Sequence, residues 1–311
     1  MGGRDLKDPF LSVYGHVTVD QIISIDEFLP PGITADALSK KTTLGGTGPN
    51  IAVAAAKLGC PTALCAFIGP DFPSAYHRFM EDSGLIMDEV VTLEGQETST
   101  CVIINDRQLT TRVFFYQGPQ GHADDLGIRL TGMASKSKKV HFCTGQPSYY
   151  ISLMRELSGG PEMALDPAQE VHHVWNADLV KEAMPMADSL FCNELEAETI
   201  CRYLGLGSIL DAPPSLVVTT NGDKGSVARI GDEVVSIPLV KAEKAVDVTG
   251  AGDNYRAGFY SALYHGYDVP EALVIASSVA SFAVEAVGAL TNTPSWEKAV
   301  ERAEPYMREI A

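Results

Sequence analysis

The chain has 311 residues, of which 45% are hydrophobic and 20% are charged. This length suits one large domain, or one domain with a small accessory, and the composition excludes extensive disorder. Acidic residues outnumber basic ones by 40 to 23, for a net charge of -17. Such a surface repels phosphate backbones and anionic lipid headgroups, so we expect neither nucleic-acid binding nor membrane attachment.

Several common classes of site are absent from the sequence. The six cysteines include no Cys-x-x-Cys pair, which argues against a disulfide framework or a zinc site. No G-x-x-x-x-G-K-[ST], G-x-S-x-G or H-E-x-x-H motif occurs. Residues 1–9 are polar, and no uncharged apolar run is long enough to span a membrane. We therefore expect a soluble, cytoplasmic protein.

Short apolar runs alternate with stretches of helical spacing along the chain. The runs that predict strands are Phe10–Tyr14, Ala63–Ile68, Val140–Cys143, Ser189–Cys192 and Leu216–Thr220. The stretches that predict helices are Ile51–Leu58, Glu194–Leu204 and Asn254–His265. Buried strands alternating with helices indicate an α/β fold with a mainly parallel sheet.

Two stretches depart from this alternation. Gln21–Leu44 has an extended pattern, and Thr98–Tyr116 is typical of a β-hairpin that turns at Asn105 and Asp106. Together they predict a small sheet that covers one face of the main domain. Two ordinary edge strands are the alternative.

The most informative motif is the segment Asp247–Phe259, which reads D-V-T-G-A-G-D-N-Y-R-A-G-F. Gly250, Ala251 and Gly252 precede a helical pattern, and a small-residue turn at a helix N-terminus directs backbone N–H groups toward an anion. The same positive end should keep Asp253 ionised and able to accept a proton. A base beside an anion cradle suits phosphoryl transfer. A helix N-cap role for Asp253 is the alternative.

Two upstream elements are suited to binding sugar hydroxyls. Gly46 and its neighbours allow close approach to the backbone before the first helix, and Asn50 offers both a donor and an acceptor. Asp20 ends a probable strand and can accept from two adjacent hydroxyls. A tight turn capped by Asn50 and a solvated loop aspartate are the alternatives.

Two later elements suggest a nucleotide. Thr220, Gly222 and Gly225 follow a strand, where the glycines would admit a base or ribose, although a hairpin turn explains them as well. Asn193 and Glu196 follow another strand, and an amide with one carboxylate suits a hydrated Mg²⁺ that also binds phosphates. A helix cap with acidic first-turn residues is the alternative.

Together and in this order, the elements resemble the ribokinase (PfkB-type) family of carbohydrate and nucleoside kinases, from about Phe10 to about Arg308. Within the family, the likeness is strongest to archaeal nucleoside kinases. The segments that carry this narrower likeness are Gly15-His16 with Asp20, Val113–Phe115, Thr144–Pro147, Asp166–Gln169, Tyr255–Phe259, Ala280–Ala286 and Thr291–Pro294.

The resemblance implies a single domain spanning residues 1–311, with a three-layer α/β core and a β-sheet lid built from about 18–45 and 96–118. It implies transfer of the γ-phosphoryl group of ATP to the 5′-hydroxyl of a purine or pyrimidine ribonucleoside. Thr47-Gly48-Pro49 departs from the fructokinase and ribokinase patterns. The alternative is therefore a sugar kinase that acts on ribose, fructose or an acidic sugar, for which Lys40, Lys41 or Arg112 would supply the cation.

The resemblance also implies a role for each motif residue. Asp253 would be the base, with the amides of Gly250, Ala251 and Gly252 as the anion hole. The remaining assignments are Asp20, Gly46 and Asn50 for the ribose hydroxyls, with Gln169 as a further candidate, Asn193 and Glu196 for Mg²⁺ and phosphates, and Thr220, Gly222 and Gly225 for the nucleotide. K⁺ near Asp247 and Thr249, and a homodimer through the lid strands, are left open.

Overall fold

The computed structural model describes residues 8–108, 110–308 and 310. Its strands are β1 (Leu11–Tyr14), β2 (Thr18–Ile25), β3 (Ala37–Gly45), β4 (Thr62–Ile68), β5 (Ile86–Thr92), β6 (Ser99–Asn105), β7 (Thr111–Tyr116), β8 (Lys139–Phe142), β9 (Glu162–Leu165), β10 (Ser189–Asn193), β11 (Leu216–Thr220), β12 (Ser226–Ile230) and β13 (Glu233–Ile237). Its helices are α1 (Thr47–Lys57), α2 (Ser74–Asp82), α3 (Pro147–Glu156), α4 (Ala177–Ala183), α5 (Glu194–Leu204), α6 (Ala251–Tyr264), α7 (Val269–Ala283) and α8 (Trp296–Met307).

The larger sheet has nine strands in the order β13-β12-β11-β10-β9-β8-β1-β4-β5. All neighbours from β11 to β5 pair in parallel, and β12 and β13 extend the sheet as an antiparallel edge. The expected α/β fold with a mainly parallel sheet is therefore confirmed. Along the described chain, no helix is both long enough and apolar enough to span a bilayer.

Alternating residues of the central strands enter two separate cores, one on each face of the sheet. Val13, Leu64 and Ala66 pack with residues of α1, α6, α7 and α8. Tyr14 and Phe67 point the other way and pack with residues of α3, α4 and α5. Because both faces of the sheet are covered by helices, the central strands β1 and β4 are buried along their whole length, and the domain has three layers.

The smaller sheet has four strands in the order β3-β2-β6-β7. The predicted hairpin is confirmed, since β6 and β7 pair antiparallel, and β2 joins β6 in parallel. This separate sheet, called the lid below, replaces the alternative of two ordinary edge strands. Every residue of β7 is exposed, as are the first six residues of β3.

Two helices begin earlier than the sequence predicts. α1 begins at Thr47 rather than Ile51, and α6 begins at Ala251 rather than Asn254. The prediction treated their glycines and Pro49 as turn residues. Since the first-turn N–H groups of a helix have no intrahelical partner, proline and glycine are tolerated there.

The candidate site residues gather where parallel strands end. Asp166 follows β9, Asn193 is the last residue of β10, and Thr220 is the last residue of β11. The strand order proceeds from β1 to β4 and β5 on one side and to β8 and beyond on the other. The strand order thus reverses at β1, and ligands of open α/β sheets bind at the carboxyl edge near such a reversal. We therefore expect the ligand site at this edge.

Candidate active site

A cavity of about 1130 Å³ lies between the carboxyl edge of the large sheet and the lid. It is slightly larger than the 300–1,000 Å³ that is typical of a small-molecule site. Every site residue expected from the sequence lines it, namely Asp20, Gly46, Asn50, Gln169, Asn193, Glu196, Thr220, Gly222, Gly225, Gly250, Ala251, Gly252 and Asp253.

The N-terminus of α6 opens into this cavity. Gly250 is the N-cap, with φ of 73°, and a Cβ atom there would lie 2.2 Å from the Cβ of Ala289. The Ala251 amide donates to the Val248 carbonyl at 3.2 Å. Among the described residues, the Gly250 and Gly252 amides donate to no other group. Two of the three predicted anion-hole amides are therefore available, and the N-cap alternative for Asp253 is wrong.

Asp253 lies in the first turn of α6 and is hydrogen-bonded to α1. Its Oδ2 accepts from Nδ2 of Asn50 at 2.8 Å. Burial raises the pKa of Asp253 to about 6, against the lowering effects of this hydrogen bond and of Arg256. The sequence suggested that the helix N-terminus controls the ionisation of this carboxyl group. In the structure, desolvation has the largest effect on its pKa.

Asn50 has a second polar atom directed at no protein group. Its side chain is buried, and Oδ1 has no hydrogen-bond partner among the described residues. A buried amide oxygen without a partner is unfavourable by about 1–3 kcal/mol. A ligand hydroxyl that donates to Oδ1 would remove this cost while Nδ2 stays on Asp253.

Asp20 stands on β2, so the lid itself carries this carboxylate. Thr18 Oγ1 donates to Asp20 Oδ1 at 2.6 Å, and burial raises the pKa of Asp20. A Cβ atom on Gly45 would lie 2.0 Å from Asp20 Oδ2. Gly46 has φ of 96°, and a Cβ there would lie 2.1 Å from the His16 carbonyl oxygen. The two glycines therefore leave space for the carboxylate and for the entry into α1.

Asn193 and Glu196 form a capping box at the start of α5. Asn193 Oδ1 accepts from the Glu196 amide at 2.9 Å, and the Glu196 carboxylate accepts from the amide and Nδ2 of Asn193, both at 2.8 Å. The capping alternative is thus present, although both residues also line the cavity. Burial raises the pKa of Glu196 to about 7.

The turn after β11 connects it to the antiparallel strand β12, as the hairpin alternative required. Gly222 has φ of 59° and Gly225 has φ of 84°, and a Cβ on Gly225 would lie 2.3 Å from the Ile237 carbonyl oxygen. The turn lines the same cavity. The turn can therefore be a hairpin connection and still be available to a nucleotide.

Gln169 is exposed at the cavity and follows Ala168, which has φ of 49°. The next residue, Glu170, was missed by the sequence analysis. Its carboxylate accepts from the Gly145 amide at 2.6 Å and from Nε2 of Gln117 at 3.2 Å, so it links the core to the end of the lid. Burial raises the pKa of Glu170 to about 7.

The lid contributes an apolar wall to the cavity through Val113 and Phe115. The lid cations that an acidic sugar would need lie elsewhere. Lys40 and Lys41 are exposed on β3 and do not line the cavity, and the Arg112 guanidinium lies over the Phe28 ring at 4.3 Å. Within the described chain, no cluster of three His, Cys, Asp or Glu side chains has the geometry of a metal site.

The pfkB family carbohydrate kinase model matches residues 8–296. The chain belongs to this family. It is a phosphotransferase with an alcohol group as acceptor, as the sequence analysis expected. The chain is 32% identical to a nucleoside kinase of Methanocaldococcus jannaschii, over 98% of this chain and 99% of that one. It is 34% identical to a nucleoside kinase of Methanothermobacter thermautotrophicus, over 95% and 96% of the two chains.

Solved structures confirm the ribokinase-like fold. The crystal structure of the M. jannaschii nucleoside kinase, an archaeal member of the ribokinase family, has a TM-score of 0.88 at 31% identity, over 96% of this chain and 99% of that chain. The nucleoside kinase of Burkholderia thailandensis in complex with inosine has a TM-score of 0.84 at 22% identity, over 95% and 97%. At that identity the second likeness concerns the fold alone.

Proposed function

We propose that this protein is an ATP-dependent nucleoside kinase that phosphorylates the 5′-hydroxyl of a ribonucleoside. The observation that carries the proposal is the Asn50–Asp253 hydrogen bond of 2.8 Å, which joins the expected sugar-binding loop to the expected base inside one cavity. The relatives named nucleoside kinase agree with it.

The proposed reaction follows from the positions of these groups. The Asp253 carboxylate accepts the proton of the 5′-hydroxyl, whose oxygen forms a bond to the γ-phosphorus. The bond from that phosphorus to the bridging oxygen breaks, and ADP leaves. The amides of Gly250 and Gly252 stabilise the charge on the transferred group, because they already point from the N-terminus of α6. Asp20 and Asn50 Oδ1 accept from the ribose hydroxyls.

The residues around Glu196 fit a hydrated Mg²⁺ carried by the nucleotide. Each carboxylate oxygen of Glu196 accepts one hydrogen bond from Asn193 and keeps further lone pairs for water. Mg²⁺ held there would neutralise phosphate charge during transfer.

Asp247 already accepts from the Thr249 and Gly288 amides, both at 2.9 Å, so K⁺ in this region would need backbone carbonyls. Replacing K⁺ by Na⁺ in the assay tests that second ion.

The lid wall favours a nucleoside over a free sugar. Val113 is 57% and Phe115 is 38% exposed, and an aromatic or apolar wall gains stability from covering a flat base. A free pentose or hexose would leave this wall in water. The lid offers no cation to an acidic sugar, because neither Lys40, Lys41 nor Arg112 lines the cavity.

A substrate panel tests the proposal. We expect turnover of Mg²⁺-ATP with inosine, guanosine, adenosine or cytidine, and a 5′-monophosphate as the product identified by ³¹P NMR. The matched 5′-deoxynucleoside lacks the 5′-hydroxyl that accepts the phosphoryl group, so it should bind without turnover. Phosphorylation of ribose or fructose with none of the nucleosides would reject the nucleoside assignment in favour of a sugar kinase.

A further inference from the structure

Arg256 is a buried cation in the wall of the cavity. It follows Asp253 by three residues on α6, so the two side chains leave neighbouring positions on one face of the helix. Its side chain is 7% exposed. Arginine is seldom buried to this degree unless it is paired.

Three elements fix the guanidinium of Arg256. Its Nε donates to Oδ2 of Asp166, which follows β9, at 2.7 Å. Its Nη1 donates to the Gly252 carbonyl in the first turn of α6 at 3.3 Å. The guanidinium carbon lies 5.6 Å from the centre of the Phe191 ring on β10. The positive charge is therefore held in one position rather than free to move with solvent.

Negative charge dominates the cavity around this guanidinium. The carboxylates that line the cavity belong to Asp20, Asp166, Glu170, Glu196, Asp223 and Asp253. Among the described lining residues, only Arg256 and Lys241 carry a permanent positive charge, and Lys241 is exposed. Arg256 is therefore the buried cation of this wall, and its charge acts on the Asp166, Glu196 and Asp253 carboxylates.

The groups around Asp253 act on its ionisation in opposite directions. Burial and the Asp166 carboxylate raise the pKa of Asp253, while Asn50 of α1 and Arg256 lower it. From the other elements, Glu196 of α5 and the Cys143 thiol after β8 also face this carboxyl group. Arg256 is thus the positive charge that favours the state in which Asp253 can accept a proton.

The geometry points to Arg256, held by Asp166, as a positioning residue for phosphoryl transfer. Its charge keeps the Asp253 carboxylate ionised, and its contact with the Gly252 carbonyl fixes the turn whose amides face the phosphoryl group. Asp166 acts through Arg256. This inference rests on the proposed function and adds a pair of residues for which neither the motif nor the resemblance gave a role.

The Arg256→Met variant tests the positioning role, since methionine keeps much of the length and removes the charge. We expect kcat to fall about 10- to 100-fold, nucleoside KM to stay within about twofold, and the acidic limb of the kcat–pH profile to move to higher pH. Guanidinium ion added to this variant should restore part of kcat. Arg129→Met, which removes a surface pair with Glu156 at 3.2 Å, is the matched control and should leave kcat unchanged.

A double variant guards against a folding defect, because Arg256→Met leaves the buried Asp166 carboxylate without its guanidinium partner, beside His141 Nε2 at 3.3 Å. Asp166→Asn combined with Arg256→Met removes both charges. If the two residues act as a unit, the double variant loses no more kcat than Arg256→Met alone. Losses that multiply would overturn the inference.

Two further results would overturn it, and both differ from failure of the proposed function. One is a folded Arg256→Met variant with unchanged kcat and pH profile, and the other is a loss confined to the KM for ATP. A wild-type chain inactive on the whole panel rejects the proposed nucleoside kinase activity alone. In that case, infrared difference spectra against Asp253→Asn still measure the ionisation of Asp253 without substrate. The carboxylate band should titrate at higher pH in the Arg256→Met background, and an unchanged titration contradicts the inference.

Discussion

Asn50 and Asp253 are 203 positions apart in sequence and share a hydrogen bond of 2.8 Å. Asn50 lies in the first turn of α1 and Asp253 in the first turn of α6, and both helices begin at the same cavity. The expected sugar-binding group is thereby also a donor to the expected base. Acceptor binding and proton transfer should respond together when Asn50 is changed.

Asn50→Ala removes the hydrogen bond that favours the ionised Asp253 carboxylate. Because burial then acts with less opposition, the pKa of Asp253 should rise above its value of about 6. We expect the loss in kcat/KM to be about tenfold or more at pH 6 and smaller at pH 8, measured by coupled ADP release. An equal loss at both pH values would show that Asn50 acts on binding alone.

Gly45→Ala should displace the Asp20 carboxylate, because the added Cβ would lie 2.0 Å from Asp20 Oδ2. We expect nucleoside KM to rise about tenfold or more while the KM for ATP changes little. Gly207→Ala is the matched control, since a Cβ at Gly207 meets no atom within 4 Å. Equal nucleoside KM values for the two variants would contradict the placement of Asp20 in the acceptor site.

The buried carboxyl groups of the site should make the ligand-free protein less stable as pH rises. The pKa of Asp253 is raised to about 6, whereas an unfolded aspartate has a pKa of about 3.9. Between these values the folded state binds more protons than the unfolded state, so stability falls as pH increases. Glu170 and Glu196, each with a pKa raised to about 7, act in the same direction.

Asp253→Asn should therefore raise Tm at pH 8 by a few degrees, at about 1.5 °C per kcal/mol from the unfolding entropy of a chain of this size, and by much less at pH 4, where the unfolded aspartate is only about half ionised. Calorimetry of the ligand-free protein measures this difference. Asp125→Asn, an exposed site outside the cavity, is the control with no expected change. A lower Tm for Asp253→Asn at pH 8 would mean that the ionised carboxylate stabilises the fold.

The lid should close on the acceptor, since Asp20 and Phe115 reach the cavity from its strands. Closure would exclude water from the phosphoryl group. We expect amide hydrogen exchange within 99–116 to slow when nucleoside saturates the site, with peptides of α8 as an internal reference. Unchanged exchange in β6 and β7 would show a lid that is already closed.

Local chemistry made much of the fold predictable. α5 matches its predicted limits of Glu194 and Leu204 at both ends, because Asn193 caps its N-terminus and Gly205 ends it with φ of 71°. The starts of α1 and α6 were predicted too late, since glycine and proline break helices except in the first turn.

The sequence did not reveal which distant side chains would pair in the folded chain. Arg256 and Asp166 are 90 positions apart, and nothing in their local patterns indicates that they pair. The raised pKa of Asp253 likewise depends on packing that only the folded chain provides. The one sequence signal for Arg256 was its position one turn after the expected base. That position alone did not predict a role, because its partner Asp166 comes from a distant part of the chain.

Single-turnover kinetics of Asp253→Asn give the most direct test of the central claim, that this carboxylate removes the proton from the attacking hydroxyl. General-base catalysis contributes about 10²- to 10⁴-fold. We predict a loss of that size in the chemical step on the best nucleoside of the panel, with nucleoside and ATP affinities within about threefold of wild type. A chemical step within about threefold of wild type would contradict the account.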